Sequence, residues 1–215
     1  MGVYAIGLIA HVGAGKTTLA ESMLYTAGRL PKMGSIEQGT TALDFEPEAK
    51  ARQSSTQSAL AYLDWESHRI EIIDTPGSAN FIAGAVGAVR VLDGAIMLSS
   101  AEPRLQTATA PRLGYLDARR VPRVMVISKM DREQANFAKR LQALNAEFDG
   151  RFVAVELPWG EGESFKGVID LVEMKAADYT GGKAKVVEIP AELAEAAQAA
   201  RAAMVEHAAE GDDQL

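Results

Sequence analysis

Gly13-Ala14-Gly15-Lys16-Thr17 sets two glycines, a cation and a hydroxyl within five residues. An anion such as a phosphate needs this set: backbone N–H groups that nothing shields, a full positive charge from Lys16, and the Thr17 hydroxyl placed for Mg2+. Asp74-Thr75-Pro76-Gly77 is a second candidate. A carboxylate at Asp74 can hold Mg2+ through water, and Gly77 can bring its N–H to a γ-phosphate with no side chain in the way. The third is Ser128-Lys129-Met130-Asp131. The Asp131 carboxylate can accept from both N1–H and the exocyclic amine of guanine, a pair adenine cannot match, and the Lys129 stem can lie over the base.

Each cluster needs an element to aim it. An apolar run, Val3 to Ala10, precedes the first loop, and the amphipathic stretch Leu19 to Tyr25 follows it. That order predicts a buried strand, a glycine turn and a helix. Ala59–Trp65 and Arg69–Asp74 read as a hairpin with His68 in its turn at the surface. Asn80–Leu92 reads as a helix, Gly94–Ser99 as a buried strand, and 105–120 as a helix that Pro111 and Gly114 should kink. Arg123–Ser128 reads as a strand and Arg132–Phe148 as a charged helix. Gly28–Arg52 shows no sustained period and reads as a long loop, mobile from about Gly34 to Ser58. This alternation predicts an α/β fold with a doubly wound, mostly parallel sheet, whose ligands sit at the carboxyl ends of its strands.

The character changes near Gly150. Phe152–Leu157, Phe165–Met174 and Lys185–Ile189 read as strands, and an alanine-rich helix over Glu192–Ala209 follows Pro190. We read 1–150 as the nucleotide-binding core and 151–215 as the start of an inserted α+β subdomain. The chain of 215 residues suits a domain of ordinary size with an appended piece, and 47% hydrophobic with 24% charged residues is a globular composition. A net charge of −7 disfavours broad binding to nucleic acid or anionic membrane. No sequence-specific nucleic-acid contact and no membrane are expected. With no cysteine there is neither a disulfide nor a Cys-ligated zinc, and no run approaches a membrane span. No basic leader precedes the first strand, so a cytoplasmic location is expected.

The motifs carry a resemblance. Ala10-His11-Val12-Gly13-Ala14-Gly15-Lys16-Thr17-Thr18, His68–Gly77, Val91–Ala95, Val121–Arg123 and Ser128–Asp131 are similar to the GTP-binding domain of the translational GTPases. The likeness is greatest to elongation factor G or an elongation-factor-G-like paralogue. Leu157–Gly160 and Phe165–Asp170 resemble the insertion that elongation factor G carries inside this domain. The resemblance implies a P-loop, Ras-like fold, GTP or GDP with Mg2+ as ligands, and a switch read by the ribosome. It implies that His11 to Thr18 cradle the phosphates, with Lys16 on the β- and γ-phosphates and Thr17 on Mg2+. It also implies Asp74 supporting Mg2+, Gly77 sensing the γ-phosphate, and Ser128, Lys129 and Asp131 at guanine.

The chain departs from the family pattern at several positions. The first glycine of Gly-x-x-x-x-Gly-Lys-Ser/Thr is Ala10, and a loop aspartate linked to a monovalent cation is replaced by Gly13. Counting back from Asp74, the first-switch segment matches Arg52–Thr56, which leaves Ser55 as the hydroxyl for Mg2+. The histidine after Asp-Thr-Pro-Gly, which orients the attacking water, is Ser78. Ser128 replaces an asparagine whose amide contacts the base and ties down the phosphate loop. The family's last core strand and its Ser-Ala guanine loop should follow the insertion, which would leave the core incomplete here. Three functions are compatible with these readings. One is a GTP switch domain with impaired hydrolysis, Ser78 and Gly77 being its catalytic positions. The others are a degenerate nucleotide-binding or ribosome-docking module without GTP cycling, and an ATP-using P-loop enzyme, which Asp131 disfavours.

Overall fold

The structure, a computed structural model, describes residues 2–102, 109–148 and 152–210. Strand β1 (Gly2–Ile9) leads into helix α1 (Lys16–Thr26). A short helix α2 (Pro47–Arg52) precedes the hairpin β2 (Ala59–Trp65) and β3 (His68–Asp74). A 3-10 turn at Ala79–Phe81 opens α3 (Ile82–Val89), followed by β4 (Gly94–Ser100), α4 (Thr109–Arg119) and β5 (Arg123–Ser128). The five strands form one sheet in the order β2-β3-β1-β4-β5. β1 lies parallel to β3 and β4, β4 lies parallel to β5, and β2 alone is antiparallel. A mostly parallel sheet built from strand–helix alternation is the predicted class. The carboxyl ends of β1, β3 and β5 therefore open on one edge, and each carries one of the three motifs.

The core of this unit is assembled from alternate faces. Leu8 and Ile72 from the central strands meet Ala20 and Leu24 of α1, with Leu63 and Leu43 closing the cluster. A second cluster, Ala10, Ala14 and Leu98, packs under the phosphate loop. Ala10 is buried and lies outside the left-handed region, so a side chain fits where the motif usually has glycine.

Several boundaries differ from the sequence reading. His68 is no turn residue: it pairs with Trp65 as the first residue of β3, and its half-buried ring meets Tyr4 at 5.5 Å. The turn is only Glu66-Ser67, with Glu66 at φ 51°. The segment 28–58 holds α2 and buries Thr41, Leu43, Asp44, Ala49 and Ser55. α2 escaped notice because a helix of six residues, opened by Pro47 at its first position, is too short to show a period. Pro111 does not split α4, which runs on through it to Arg119. Residues 105–108 of the predicted helix lie outside the described residues.

The second unit runs from Lys129 onward, with Ala101 and Glu102. Its helix α5 (Phe137–Glu147) starts later than predicted because the Asn136 side chain caps it, accepting from Lys139 N–H at 2.8 Å. Strands β6 (Glu156–Trp159), β7 (Gly167–Asp170), β8 (Lys175–Asp178) and β9 (Lys185–Val187) form an antiparallel meander in that order. Helix α6 (Ala191–Ala209) packs on it through Ala197, against Ile169, Leu171 and Ala176. Phe165–Met174 is not one strand: β7 ends at Asp170, and Met174 at φ 53° turns the chain into β8. Glu161 joins α5 to this unit by accepting from Phe137 N–H at 2.7 Å. The composition change near Gly150 falls inside this unit.

Candidate functional site

Between β1 and α1 the chain turns through two left-handed glycines, Gly13 at φ 79° and Gly15 at φ 96°. No heavy atom lies within 4 Å of where a side chain would start at either, so the loop is open over its amides. Gly15 is the residue before the first turn of α1, and the helix N-terminus faces this opening. Lys16 is buried at 6% exposure, with its ammonium donating to the carbonyls of Ala10 at 3.2 Å and His11 at 3.1 Å. The cation is thus held inside the ring of the loop.

Asp74 ends β3 and is 1% exposed. Its Oδ2 accepts from the Thr17 hydroxyl at 2.6 Å, and Thr17 Oγ1 lies 3.3 Å from Ser55 Oγ. Three residues from three separate segments therefore converge on one point. Ser55, placed by counting along the chain, is buried there. Burial pushes the Asp74 carboxyl up to about 6, and the charges of Asp44 and Glu21 act in the same direction. The Thr17 hydrogen bond and the Lys16 charge oppose them.

This point fits a divalent cation. Asp74 Oδ1 is buried and has no hydrogen-bond partner among the described residues. An orphaned carboxylate oxygen beside two hydroxyls is a hard, oxygen-only donor set of the kind Mg2+ takes. Among the described residues no group of three or more His, Cys, Asp or Glu is arranged as a metal cage. A cation here would share its coordination with a ligand, as Mg2+ does with nucleotide phosphates.

Thr75 fixes the following turn by donating its hydroxyl to the Leu8 carbonyl at 2.7 Å. Gly77 then crosses the phosphate loop. A methyl group on it would lie 2.6 Å from Val12 N and 2.7 Å from Lys16 Nζ, so only glycine allows the approach. Ser78 points elsewhere: its Oγ accepts from Asn80 N–H at 3.3 Å and caps the 3-10 turn.

At the end of β5, the Ser128 hydroxyl donates to the Ala14 carbonyl at 2.8 Å. This corrects one expectation: the tie between this strand and the phosphate loop is kept, by a hydroxyl in place of an amide. In the second unit, Lys129 follows at φ 60°, a strained conformation for a lysine, and its ammonium lies 3.5 Å from Glu102. Asp131 is exposed. Lys16, Thr17, Ser55, Asp74, Gly77 and Ser128 are thus brought together, while Lys129 and Asp131 are described within the second unit. Two acidic residues near the cation point were missed. Glu21 is spaced four residues from Thr17 on α1, a spacing that was there to read. Asp44 sits in a segment with no period and gave no signal.

The geometry has a known counterpart. The family model described as the Elongation factor Tu GTP binding domain matches residues 2–210. The chain belongs to this family. Membership carries guanine-nucleotide binding and the P-loop GTPase fold. Among solved structures, the crystal structure of a protein from Thermus thermophilus matches with a TM-score of 0.92 and 31% identity. The match covers 99% of this chain and 32% of that one, so the chain spans about a third of its length. As a GTP-binding domain of this family, the chain does not favour the degenerate-module or ATP-enzyme readings. Among the described residues no helix is long and apolar enough to cross a membrane.

Proposed function

We propose that this is the GTP-binding switch domain of an elongation-factor-G-like translation factor, acting on the ribosome in the cytoplasm and hydrolysing GTP slowly. The reading rests on one observation above others: Thr17, Ser55 and Asp74 meet from the phosphate loop, the first-switch segment and the end of β3, leaving one buried Asp74 oxygen unpartnered. In this reading Gly13, Ala14, Gly15 and Thr18, with His11 and Val12, surround the phosphates, and Lys16 turns from its carbonyls to the β- and γ-phosphates. Mg2+ bound there would neutralise charge developing on the phosphate oxygens. Gly77 offers its N–H toward the γ-phosphate across the gap that its missing side chain leaves. Lys129 and Asp131 hold guanine, and Ser128 ties the phosphate loop to the end of β5. The core runs to about residue 150, and the remainder begins the insertion that marks the elongation-factor-G branch.

Slow hydrolysis follows from Ser78. Its hydroxyl is short and engaged with Asn80, whereas orienting an attacking water at this position calls for a longer side chain. Titration of labelled GTP, GDP and ATP, with and without Mg2+, tests the assignment. Tight, Mg2+-dependent binding of both guanine nucleotides and none of ATP is expected. Equal binding of ATP would overturn it.

A further inference from the structure

Glu21 is 1% exposed, yet no role in contacting a nucleotide falls to it. Burying a carboxylate is costly unless its oxygens are satisfied. Here both are, by the main chain of a single loop: Oε2 accepts from Gly34 N–H at 2.9 Å and Oε1 from Ala42 N–H at 2.6 Å. The loop is shaped to meet it. A methyl group at Gly34 would lie 2.5 Å from both the Thr40 carbonyl oxygen and the Thr41 Cα, and 2.8 Å from the Glu21 carboxylate. Only glycine lets the chain fold down at that point.

The residues beyond the second contact give it meaning. Directly after Ala42, Leu43 enters the core cluster with Leu8, Leu24 and Ile72, and Asp44 is buried with its charge acting on Asp74. The same segment continues through α2 to Ser55, 3.3 Å from Thr17. Glu21 and Thr17 stand one turn apart on α1. One helix face therefore carries a ligand of the cation point and the anchor of the segment that brings the next ligand.

We propose that Glu21 is a positioning residue, a buried carboxylate clamp that folds loop 34–42 onto α1 and thereby presents Asp44 and Ser55 at the cation end of the site. The proposal rests on the site binding Mg2+ with nucleotide, and it deepens that reading by assigning who orders the first-switch segment before any ligand arrives. Glu21 touches neither nucleotide nor cation. Beyond the charge it sets near Asp74, it acts through the loop.

Two measurements test it. In the nucleotide-free chain, hydrogen exchange should show the amides of 34–55 protected. Glu21→Gln keeps the volume but sets an NH2 group against one of the two N–H groups. It should speed exchange across this segment about ten- to a hundredfold, leaving β1, β3 and β4 as in the parent. Gly34→Ala breaks the same contact from the loop side and should give the same local pattern, which keeps the test open if the first variant folds poorly. Unchanged protection in both variants, or loss spread evenly over the strands, overturns the clamp. In the second measurement, dissociation of fluorescent GDP is followed against Mg2+ concentration. Glu21→Gln should raise the half-saturating Mg2+ about tenfold, well beyond any change in affinity measured in EDTA. Added to Ser55→Ala, it should change the Mg2+ dependence by clearly less than its effect of about tenfold in the parent, since one of the two groups it positions is gone. Additive effects would overturn action through Ser55. A parent that takes up neither nucleotide nor Mg2+ would overturn the functional reading and the clamp's cation role with it. The exchange data would still decide whether Glu21 orders the loop.

Discussion

Ser128 Oγ and the Ala14 carbonyl lie 2.8 Å apart, joining the end of β5 to the phosphate loop across 114 residues of sequence. A hydroxyl can hold the loop with this one bond, but it lacks the second donor that an amide would direct to the base. Ser128→Ala should weaken GDP binding by roughly two- to tenfold, the span of one neutral hydrogen bond. Ser128→Asn should tighten it beyond the parent. A fluorescence titration of the three proteins measures both effects, and parental affinity in Ser128→Ala would remove the tie from the binding site.

Lys16 spends its charge on the carbonyls of Ala10 and His11, so it is already desolvated and aimed into the loop. A phosphate arriving there meets a cation that needs little rearrangement. Lys16→Ala removes a charge-assisted contact of ~1.5–3 kcal/mol, and GDP affinity should fall by about ten- to a hundredfold. Isothermal titration with GDP checks this. A variant that binds as the parent does would refute the assignment of the loop.

The Asp74 carboxyl, ordinarily near 3.8, is raised to about 6 by burial and by its acidic neighbours. The folded, cation-free protein therefore keeps a proton that the unfolded chain gives up between those values. As pH climbs from about 4 to 6 this group's contribution to stability falls, and at neutral pH it amounts to a cost on the order of 3 kcal/mol. Asp74→Asn removes the cost while keeping an oxygen for Thr17. Without Mg2+ and nucleotide, the variant should be more stable than the parent at pH 7.5, and the difference should shrink as the pH falls from about 6 to about 4 and stay constant below that. Mg2+ competes with that proton, so its affinity for the parent should rise with pH and level off above about 6. Denaturant melts of both proteins across this range decide it. A pH-independent difference would show that Asp74 is ionised throughout.

How far the sequence revealed this site depends on what carried each contact. Asp74 ends a strand, and Lys16 and Thr17 open the helix after the glycine turn that follows one; in both places an apolar run breaks into a turn, and that pattern is local. Ser55 needed a count back from Asp74, because its segment has no period and its neighbours match no motif. The Ser128–Ala14 and Glu21–Gly34 bonds were invisible for one reason: each partner is a backbone group far along the chain, and any residue type supplies it. The five-stranded sheet was readable from alternation of strand and helix. β8 was not, since Lys175-Ala176-Ala177-Asp178 buries only Ala176 and offers no alternating apolar face.

Base choice should lie with Asp131. The side chain is exposed and stands two residues after Lys129, in the segment that follows β5. Asp131→Asn exchanges an acceptor for a group that also donates, which matches the extra carbonyl of xanthine. Competition between GTP and XTP for the labelled nucleotide should move toward XTP. A ratio equal to the parent's would place guanine recognition elsewhere.

The proposed slow hydrolysis puts Ser78 at the position that sets the rate. On that reading Gly77 and the Thr17–Ser55–Asp74 group hold GTP whether or not it is cleaved. The Ser78 hydroxyl is occupied by Asn80 N–H, and a serine cannot reach a water lying in line with the γ-phosphate as an imidazole can. Positioning and general-base effects of this kind are commonly ~10²–10⁴-fold. In Ser78→His, single-turnover GTP hydrolysis measured with ribosomes should exceed the parent's clearly, with GTP affinity changed little. The imidazole gives up the cap on Ala79–Phe81, but losing an exposed cap of one turn costs only about 1 kcal/mol. If turnover stays flat while GTP still binds, the slow step lies at Gly13 or in the segment around Ser55. The defect would then be one of loop chemistry and cation placement, with the water of secondary importance.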